Sequence, residues 1–419
     1  MRKFRFGQNR ILKFIFLLIL VLSTFAYAMF QGGFVSWFLF YSFIPLVVYT
    51  FFLLFYPMSN LEVEREVKVG ELTEGQELEV TIRITRENMF PLFYLIVQDE
   101  LPRRLRSLAT GSGDHYQKGA LALLLPMFKK HLSFTYKIKA MPRGEYYLDA
   151  ISCKTGDMFG FVQKERTINS EHAVYVLPSY QELNWVPYKR NLSGSKQSSR
   201  QANFDVTTAV SVREYVPGDK LSWIDWKATA KSNKLLTKEF ERQISQDFMV
   251  FLDRTKVHYQ EEDSPLFERA VRLTASIANA ALNQNSMLGL VSAGKDYSVL
   301  SVNGGKAQKR RIFHHLAKIW ADGQTPFSTI IKREAHHFPA GTGMIVISPS
   351  LEKSLTAVLQ ELVSRKVQVE FFYISDNTFR SLDDQNALMR LRKYGVHVFE
   401  IAGNDFNEAL KAGGNRATS

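Results

Sequence analysis

The sequence has almost no cysteine and lacks the short motifs of common enzymes. Its 419 residues include a single cysteine, Cys153, which excludes an intramolecular disulfide and agrees with a reducing compartment. The Gly-x4-Gly-Lys-Ser/Thr phosphate loop, the Gly-x-Ser-x-Gly nucleophile elbow and the His-Glu-x-x-His zinc pair do not occur. We therefore predict a protein that is not an enzyme.

Charge is missing altogether from Phe14 to Leu61. Within this stretch, Gln31-Gly32-Gly33 separates two apolar runs, FIFLLILVLSTFAYAMF and FVSWFLFYSFIPLVVYTFFLLFYP. A helix needs about 20 apolar residues to cross the hydrocarbon of a bilayer. We therefore predict a hairpin of two transmembrane helices in residues 1–60, and the lipid bilayer becomes the first expected partner.

Basic residues precede the first apolar run, whereas the turn between the runs has none: Arg2, Lys3, Arg5, Arg10 and Lys13. The positive-inside rule then places the amino terminus in the cytoplasm, and two crossings return the chain there. The prediction is a multi-pass protein of the cell membrane with cytoplasmic soluble domains. The alternative is a cleavable secretory signal ending at Ala28, because AYA at Ala26–Ala28 resembles a cleavage site. Even then, the second run leaves the following residues on the same side.

Residues 61–183 change to a period of two. Segments such as LEVEREVKV, ELEVTIRIT and HLSFTYKIKA alternate apolar with polar side chains, and turn signals such as TEGQ and MPRGE separate them. This pattern predicts an all-β sandwich. The segment has no evident chemical site, so a structural or binding role is favoured.

Residues 246–419 alternate apolar strands with amphipathic helices, for example DFMVFLD, GMIVISPS and VQVEFFYIS between helical stripes. This pattern predicts a doubly wound α/β domain. Residues 184–245 lie between the two predicted domains and form a basic linker followed by a signature motif. Much of the net charge of +12 lies in this linker and in the first residues of the chain. Nucleic-acid binding by the linker is a further alternative, but its sparse aromatic residues disfavour it.

The α/β segment resembles the von Willebrand factor A fold at its first strand, which ends in Asp253. Metal-binding members of that fold have Asp-x-Ser-x-Ser there and a carboxylate after a later strand. Here Thr255 can replace the first serine, but Val257 replaces the second and the later strand ends in Ser348. A divalent cation prefers about six oxygen ligands. Asp253 and Thr255 are thus weak metal candidates, we predict no cofactor, and Asp253 is expected to cap the following turn.

The segment Val212 to Lys231, VREYVPGDKLSWIDWKATAK, is too charged for a core and too aromatic for a solvated linker. Pro217-Gly218 predicts a turn, and Asp219 is placed to cap a helix from Leu221 to Lys231. On such a helix Asp225 and Lys227 have no oppositely charged neighbour at three or four positions. Their charges are therefore expected to be met by water, by another segment, as an interdomain ion pair, or by a second molecule.

This segment also resembles the signature of the domain of unknown function 58 family. The likeness covers nearly the whole chain, since RGEYYLDAISCKTGDMFGF and LLTKEFE match as well. Ser222 and Lys231 stand where arginine is usual, which weakens any anion-binding role of those positions. The signature positions that match are Arg213, Glu214, Tyr215, Pro217, Gly218, Asp219, Ile224, Asp225, Trp226 and Lys227.

The resemblance implies a membrane-anchored protein with a sandwich and a von Willebrand factor A-like domain. It also implies association with AAA+ ATPases of the MoxR type, in systems that assemble or remodel proteins or the envelope. The leading hypothesis is therefore a membrane-anchored adaptor or scaffold that binds proteins and not nucleic acid. The alternatives are a metal-dependent ligand binder at Asp253 and Thr255, and an envelope enzyme. The residues expected at the partner-binding surface are Arg213, Glu214, Asp219, Asp225, Trp226 and Lys227.

Overall fold

A computed structural model describes most of the chain. The described residues are 6–68, 71–111, 116–185, 209–216, 221–232, 234–240, 247–259, 264–337, 342–376 and 381–415. The chain divides into two compact units, residues 1–179 with 313–319 and residues 180–312 with 320–419.

The first unit begins with two helices, α1 (Phe6–Gln31) and α2 (Phe34–Phe55). Gly32 and Gly33 connect them at φ angles of 59° and 92°, which favour glycine. The helices pack together, because the rings of Phe25 and Phe40 lie 5.5 Å apart. Among the described residues, α2 is the one helix long and apolar enough to cross a membrane, and a shorter apolar helix covers Leu18–Gln31 of α1. The prediction of two spans is therefore supported for one helix.

A sheet-rich region follows, as the alternating pattern predicts. The first sheet has the order β1-β3-β8-β5 and the second has the order β2-β10-β9-β4-β7-β6. Both sheets contribute to one hydrophobic core, with Val80 and Phe134 from the first and Val97 and Ile151 from the second. The elements are β1 (Leu61–Val67), β2 (Glu71–Thr73), β3 (Leu78–Arg86), β4 (Leu95–Asp99), α3 (Arg103–Arg106), β5 (Ala109–Gly111), β6 (Tyr116–Lys118), β7 (Leu121–Leu124), β8 (His131–Ile138), β9 (Gly144–Gly156) and β10 (Gln163–Leu177).

A charged cluster lies inside this core. The guanidinium of Arg65 donates to both carboxylate oxygens of Asp99, at 2.6 and 2.9 Å, and both side chains are fully buried. The hydroxyl of Tyr136 donates to Asp99 at 2.7 Å. Burial and the Asp99 charge raise the pKa of Tyr136, which stays protonated. The cluster satisfies a buried carboxylate that would otherwise be costly.

The second unit contains a small module that carries the signature motif. Strand β11 (Ala209–Glu214) is followed by a 3-10 turn (Leu221–Trp223), by α4 (Trp226–Ser232) and by β12 (Leu236–Phe240). The strands β11 and β12 pair antiparallel, with Arg213 opposite Thr237. We call residues 209–240 the signature module.

The rest of the second unit is built on a six-stranded sheet. Its strand order is β15-β14-β13-β16-β17-β18, with every neighbouring pair parallel except β14 and β15. The elements are β13 (Asp247–Leu252), α5 (Lys256–Tyr259), α6 (Pro265–Asn283), β14 (Met287–Ala293), β15 (Tyr297–Asn303), α7 (Gly305–Lys318, of which residues 313–318 belong to the first unit), α8 (Phe327–Ala335), β16 (Gly343–Ser348), α9 (Lys353–Ser364), β17 (Val369–Ile374), α10 (Leu382–Lys393), β18 (His397–Ile401) and α11 (Phe406–Asn415).

The chain that enters this unit is already packed where a linker was expected to begin. Trp185 is buried, stacks edge-on against Phe248 with ring centroids 5.4 Å apart and donates its indole N–H to Glu370 at 3.0 Å. The side chain of Gln181 donates to the backbone oxygen of Asn404. The rest of the predicted linker, residues 186–208, lies outside the described residues.

Candidate functional site

The signature motif does not form the continuous helix that was predicted. The chain makes a 3-10 turn, passes through Ile224, and starts α4 only at Trp226. Ile224 is buried and pairs with Thr237 of β12, and the amide of Asp225 donates to Leu236 O at 2.9 Å. The predicted single helix is wrong because pairing with β12 holds this part of the motif extended.

Asp225 is the N-cap of α4. Its carboxylate accepts hydrogen bonds from the amides of Lys227 and Ala228, each at 3.1 Å. This arrangement satisfies amides that a helix terminus leaves without partners, and it places a negative charge at the positive end of the helix dipole. The sequence left water, another segment or a second molecule as partners of Asp225, and in the structure two backbone amides of its own helix bond to its carboxylate. Asp219, the predicted cap, lies outside the described residues with Pro217 and Gly218.

The module leaves large apolar side chains in solvent. Trp226 is 68% exposed and Leu221 is 71% exposed. We call the whole set the signature surface: Val212, Val216, Leu221, Trp226 and Leu235. Apolar groups of this size, exposed together in one short module, are typical of an interaction site.

Basic groups accompany the signature surface. Lys227 and Lys231 are exposed on α4, and Arg213 is exposed on β11 and donates to the backbone oxygen of Glu214 at 3.2 Å. The carboxylate of Glu214 pairs with Lys234, and its hydrogen bond raises the pKa of that lysine. Five of the six predicted site residues lie in the described part of this module, and they combine aromatic area with mixed charge.

A second candidate site lies where β13 and β16 end side by side. Strand β13 is central, with β14 on one side and β16 on the other, so this is the point where the strand order reverses and where such sheets bind ligands. Asp253 follows β13 and is fully buried. One carboxylate oxygen accepts from the amide of Thr255 at 2.9 Å, and the other accepts from the hydroxyl of Ser348 at 2.6 Å.

His258 completes this cluster and was missed from the sequence. Its Nδ1 lies 2.7 Å from Asp253, and its Nε2 lies 3.2 Å from Glu352. Burial alone would lower the pKa of His258, but hydrogen bonds to the two carboxylates and their charges outweigh it and raise the pKa above its usual value. A spacing of five residues from Asp253 was the only local signal, and Glu352 is distant in sequence.

The arginine next to Asp253 belongs to a separate cluster. Arg254 is buried and paired with Asp322 at 2.7 Å. Its Nε also donates to the backbone oxygen of Trp320 at 2.8 Å. The Arg254 charge is therefore neutralised within its own cluster.

The residues around Asp253 fit a divalent cation poorly. Three donors already occupy its carboxylate, and within the described residues no group of three or more His, Cys, Asp or Glu side chains is arranged to hold a metal. One observation points the other way, because the hydroxyl oxygen of Thr255 is buried without a hydrogen-bond partner in the described part of the chain. The cluster is a hydrogen-bonded network in which the Thr255 hydroxyl has no partner among the described residues.

The fold and these two sites define a multidomain chain with one candidate membrane helix, a sheet-rich region and an α/β region that presents an exposed motif. Residues 211–385 match the family described as "Protein of unknown function DUF58". The chain is also 34% identical over 323 residues to the uncharacterized protein YeaD of Bacillus subtilis (strain 168), a match that covers 77% of this chain and 78% of YeaD. The chain therefore belongs to the DUF58 family.

Solved structures resemble only part of the chain, and weakly. The CARDB domain of the PF1109 protein from Pyrococcus furiosus is 14% identical, covers 28% of this chain and 91% of that chain, and gives a TM-score of 0.19. A non-cellulosomal cohesin from Archaeoglobus fulgidus is 11% identical, with 28% and 91% coverage and a TM-score of 0.18. Scores this low carry no argument about fold or function.

Proposed function

We propose that the protein is a membrane-anchored adaptor or scaffold whose soluble domains face the cytoplasm and bind a MoxR-type AAA+ ATPase in protein assembly or envelope-related processes. The observation that carries this proposal is the signature surface. Trp226 and Leu221 are exposed in the same module as exposed Lys227 and Arg213, and aromatic side chains and arginine are the types enriched where proteins meet.

The anchor is proposed to be the hairpin of α1 and α2. Among the described residues, helix α2 alone has the length and apolarity of a span, and α1 packs on it through Phe25 and Phe40. The basic residues before the first apolar run favour a cytoplasmic amino terminus. A hairpin with that start returns the chain to the cytoplasm, where an ATPase is within reach.

The α/β region is proposed to be of the von Willebrand factor A type. Support comes from the central position of the first strand, β13, and from the place of Asp253 at its carboxyl end. Around Asp253 the charged and polar groups are bonded to each other. That arrangement favours a binding scaffold over a catalytic centre.

Copurification tests the proposal. We expect Trp226→Ala to weaken the affinity of the full-length, detergent-solubilised protein for a MoxR-type ATPase of the same organism by about 30-fold, as at interface hot spots. Lys227→Gln removes a charge while keeping the backbone bond to Asp225, and should weaken binding less. The matched control is Leu382→Ala on α10, which removes another large apolar side chain that is mostly exposed. Undiminished binding by the Trp226 variant would contradict the site.

A metal-dependent ligand binder is the second candidate function. The partnerless hydroxyl of Thr255 favours it, because a cation bound there would give that oxygen a partner. This alternative predicts that Mg²⁺ or Mn²⁺ raises the melting temperature of the protein. It further predicts that Asp253→Ala and Thr255→Val abolish the rise, whereas an unchanged melting temperature of the wild type speaks for the adaptor.

A further inference from the structure

One end of the sheet-rich region exposes large apolar side chains on three loops. The loops are residues 87–94, 125–130 and 157–162. We call the exposed set the apolar collar: Met89, Leu125, Met127, Phe128, Met158 and Phe159, with exposed fractions between 43% and 68%. Such a set costs solubility unless something covers it.

The collar loops are held in place by hydrogen bonds. Leu92 and Met127 exchange two backbone bonds at 3.2 and 2.9 Å, which joins the first loop to the second. The buried guanidinium of Arg86 donates to backbone oxygens of both loops, including Phe90 and Lys129. In the third loop the carboxylate of Asp157 accepts from the amides of Phe159 and Val162. The apolar tips are therefore presented on a fixed framework.

The same loops clasp the end of α2. The ring of Tyr49 lies 4.5 Å from that of Phe93 and 5.6 Å from that of Phe90. Leu53 of α2 is fully buried, in a cluster with Leu92. These contacts reach well into the helix, because Tyr49 is six residues before its end at Phe55, which is about 9 Å along the axis at 1.5 Å per residue.

Side chains of strand β10 also bond to the end of α2. The ammonium of Lys164 donates to the backbone oxygens of Leu54 and Tyr56 at 2.8 and 2.5 Å. Arg166 donates to Met58 and Leu61 in the connection that follows, at 2.6 and 2.9 Å. These bonds satisfy carbonyls that a helix end leaves open. The helix and the collar thus form one continuous body.

We propose that the apolar collar is a lipid-binding surface that sits in the interfacial layer of the bilayer crossed by α2. The proposal rests on the membrane anchor of the proposed function, since α2 sets the depth of the loops. If the apolar stretch of α2 fills the hydrocarbon, the helix leaves the hydrocarbon near Phe55. Loops that contact Tyr49 then lie deeper in the bilayer than this boundary. Amphipathic surfaces insert to about 5–10 Å at this boundary.

Charge fits the same occupant. Lys129 and Lys130 are exposed and follow Phe128 directly in the second loop. Lysines beside inserted apolar groups extend their long side chains to lipid phosphates. A second protein could also cover apolar loops, but the continuity of the collar with a membrane helix favours lipid.

Site-directed nitroxide labels in the full-length protein test the collar. The chain suits this method because Cys153 is fully buried and burial raises its pKa to about 12, so the native thiol stays unreactive. Labels are placed at Met158→Cys and Phe128→Cys in the collar. The control, Glu77→Cys, precedes β3 at the end of the region opposite Arg86. Val48→Cys in α2 reports the span itself.

The probe is a proteoliposome of phosphatidylcholine and phosphatidylglycerol, and the readout is collision of each label with oxygen, which enters the bilayer, and with a water-soluble nickel chelate. We expect the collar labels to lie about 5–10 Å below the phosphates, the Val48 label near the bilayer centre and the Glu77 label in water. A buried Val48 label with collar labels in water overturns the collar and leaves the anchor intact. A Val48 label in water overturns both. Collar labels shielded from both reagents mean cover by protein, which also overturns the proposal.

Discussion

Asp99 and Asp253 are both buried carboxylates, but their partners differ in kind. Asp99 is held by the guanidinium of Arg65 at 2.6 Å, whereas Asp253 is held by an amide, a hydroxyl and the imidazole of His258. Arginine keeps its charge at every physiological pH, whereas histidine gains and loses its charge near neutrality. The Arg65–Asp99 pair in the sheet-rich core therefore keeps its charges across this range, whereas the cluster around Asp253 contains a histidine whose charge changes with pH.

Breaking the Arg65–Asp99 pair should give the largest effect on stability. Asp99→Asn keeps the volume of the side chain but leaves the charge of Arg65 buried and unpaired, and we expect a loss of about 3–5 kcal/mol in the free energy of unfolding. Denaturant unfolding of the detergent-solubilised protein measures it. The control is Glu79→Gln, which removes an exposed pair with Lys68 and should change little. A similar small loss for both variants would show that the buried pair of Asp99 with Arg65 does not stabilise the fold.

A third carboxylate, that of Asp225, lies at the surface, and its loss should have a smaller effect on stability. Asp225→Ala removes the cap of α4 and should cost about 1 kcal/mol, measured by hydrogen exchange at the amides of Lys227 and Ala228. Asp225→Asn retains a capping oxygen and removes the charge, so protection should persist. If the asparagine variant also loses protection, the charge and not the cap stabilises the helix.

Replacing His258 should have the smallest effect on stability, and this effect should depend on pH. The pKa of His258 is raised in the folded state, so its contribution is complete below the unfolded pKa of about 6.5 and disappears as the pH rises through the folded value. We expect His258→Gln to lower the melting temperature at acidic pH and to match the wild type at alkaline pH. A difference that stays constant with pH would mean that the ring contributes only packing.

Much of the fold follows from local pattern. Strands β1 and β3 were predicted because their side chains alternate strictly between core and surface. Strands β2, β5 and β6 have three residues each, too few for a period to show. Helix α8 was missed because its nine residues follow directly on Pro326 in a segment rich in turn signals.

The sites were harder to predict because their contacts are distant in sequence. The position of Asp253 follows from the strand that precedes it, and this much was predicted. Its bond to Ser348 joins two strands that are 95 residues apart, and no local pattern encodes that. In the signature motif the pairing of Ile224 with Thr237 overrides the continuous helix that was predicted from Leu221 to Lys231.

The bonds from Lys164 to the end of α2 have a mechanical consequence. A short connection, residues 56–60, separates the helix from β1, and Lys164 and Arg166 bond it to β10. A membrane helix tilts when bilayer thickness changes. If α2 spans the bilayer as proposed, these bonds would transmit a tilt of the helix to the sheets.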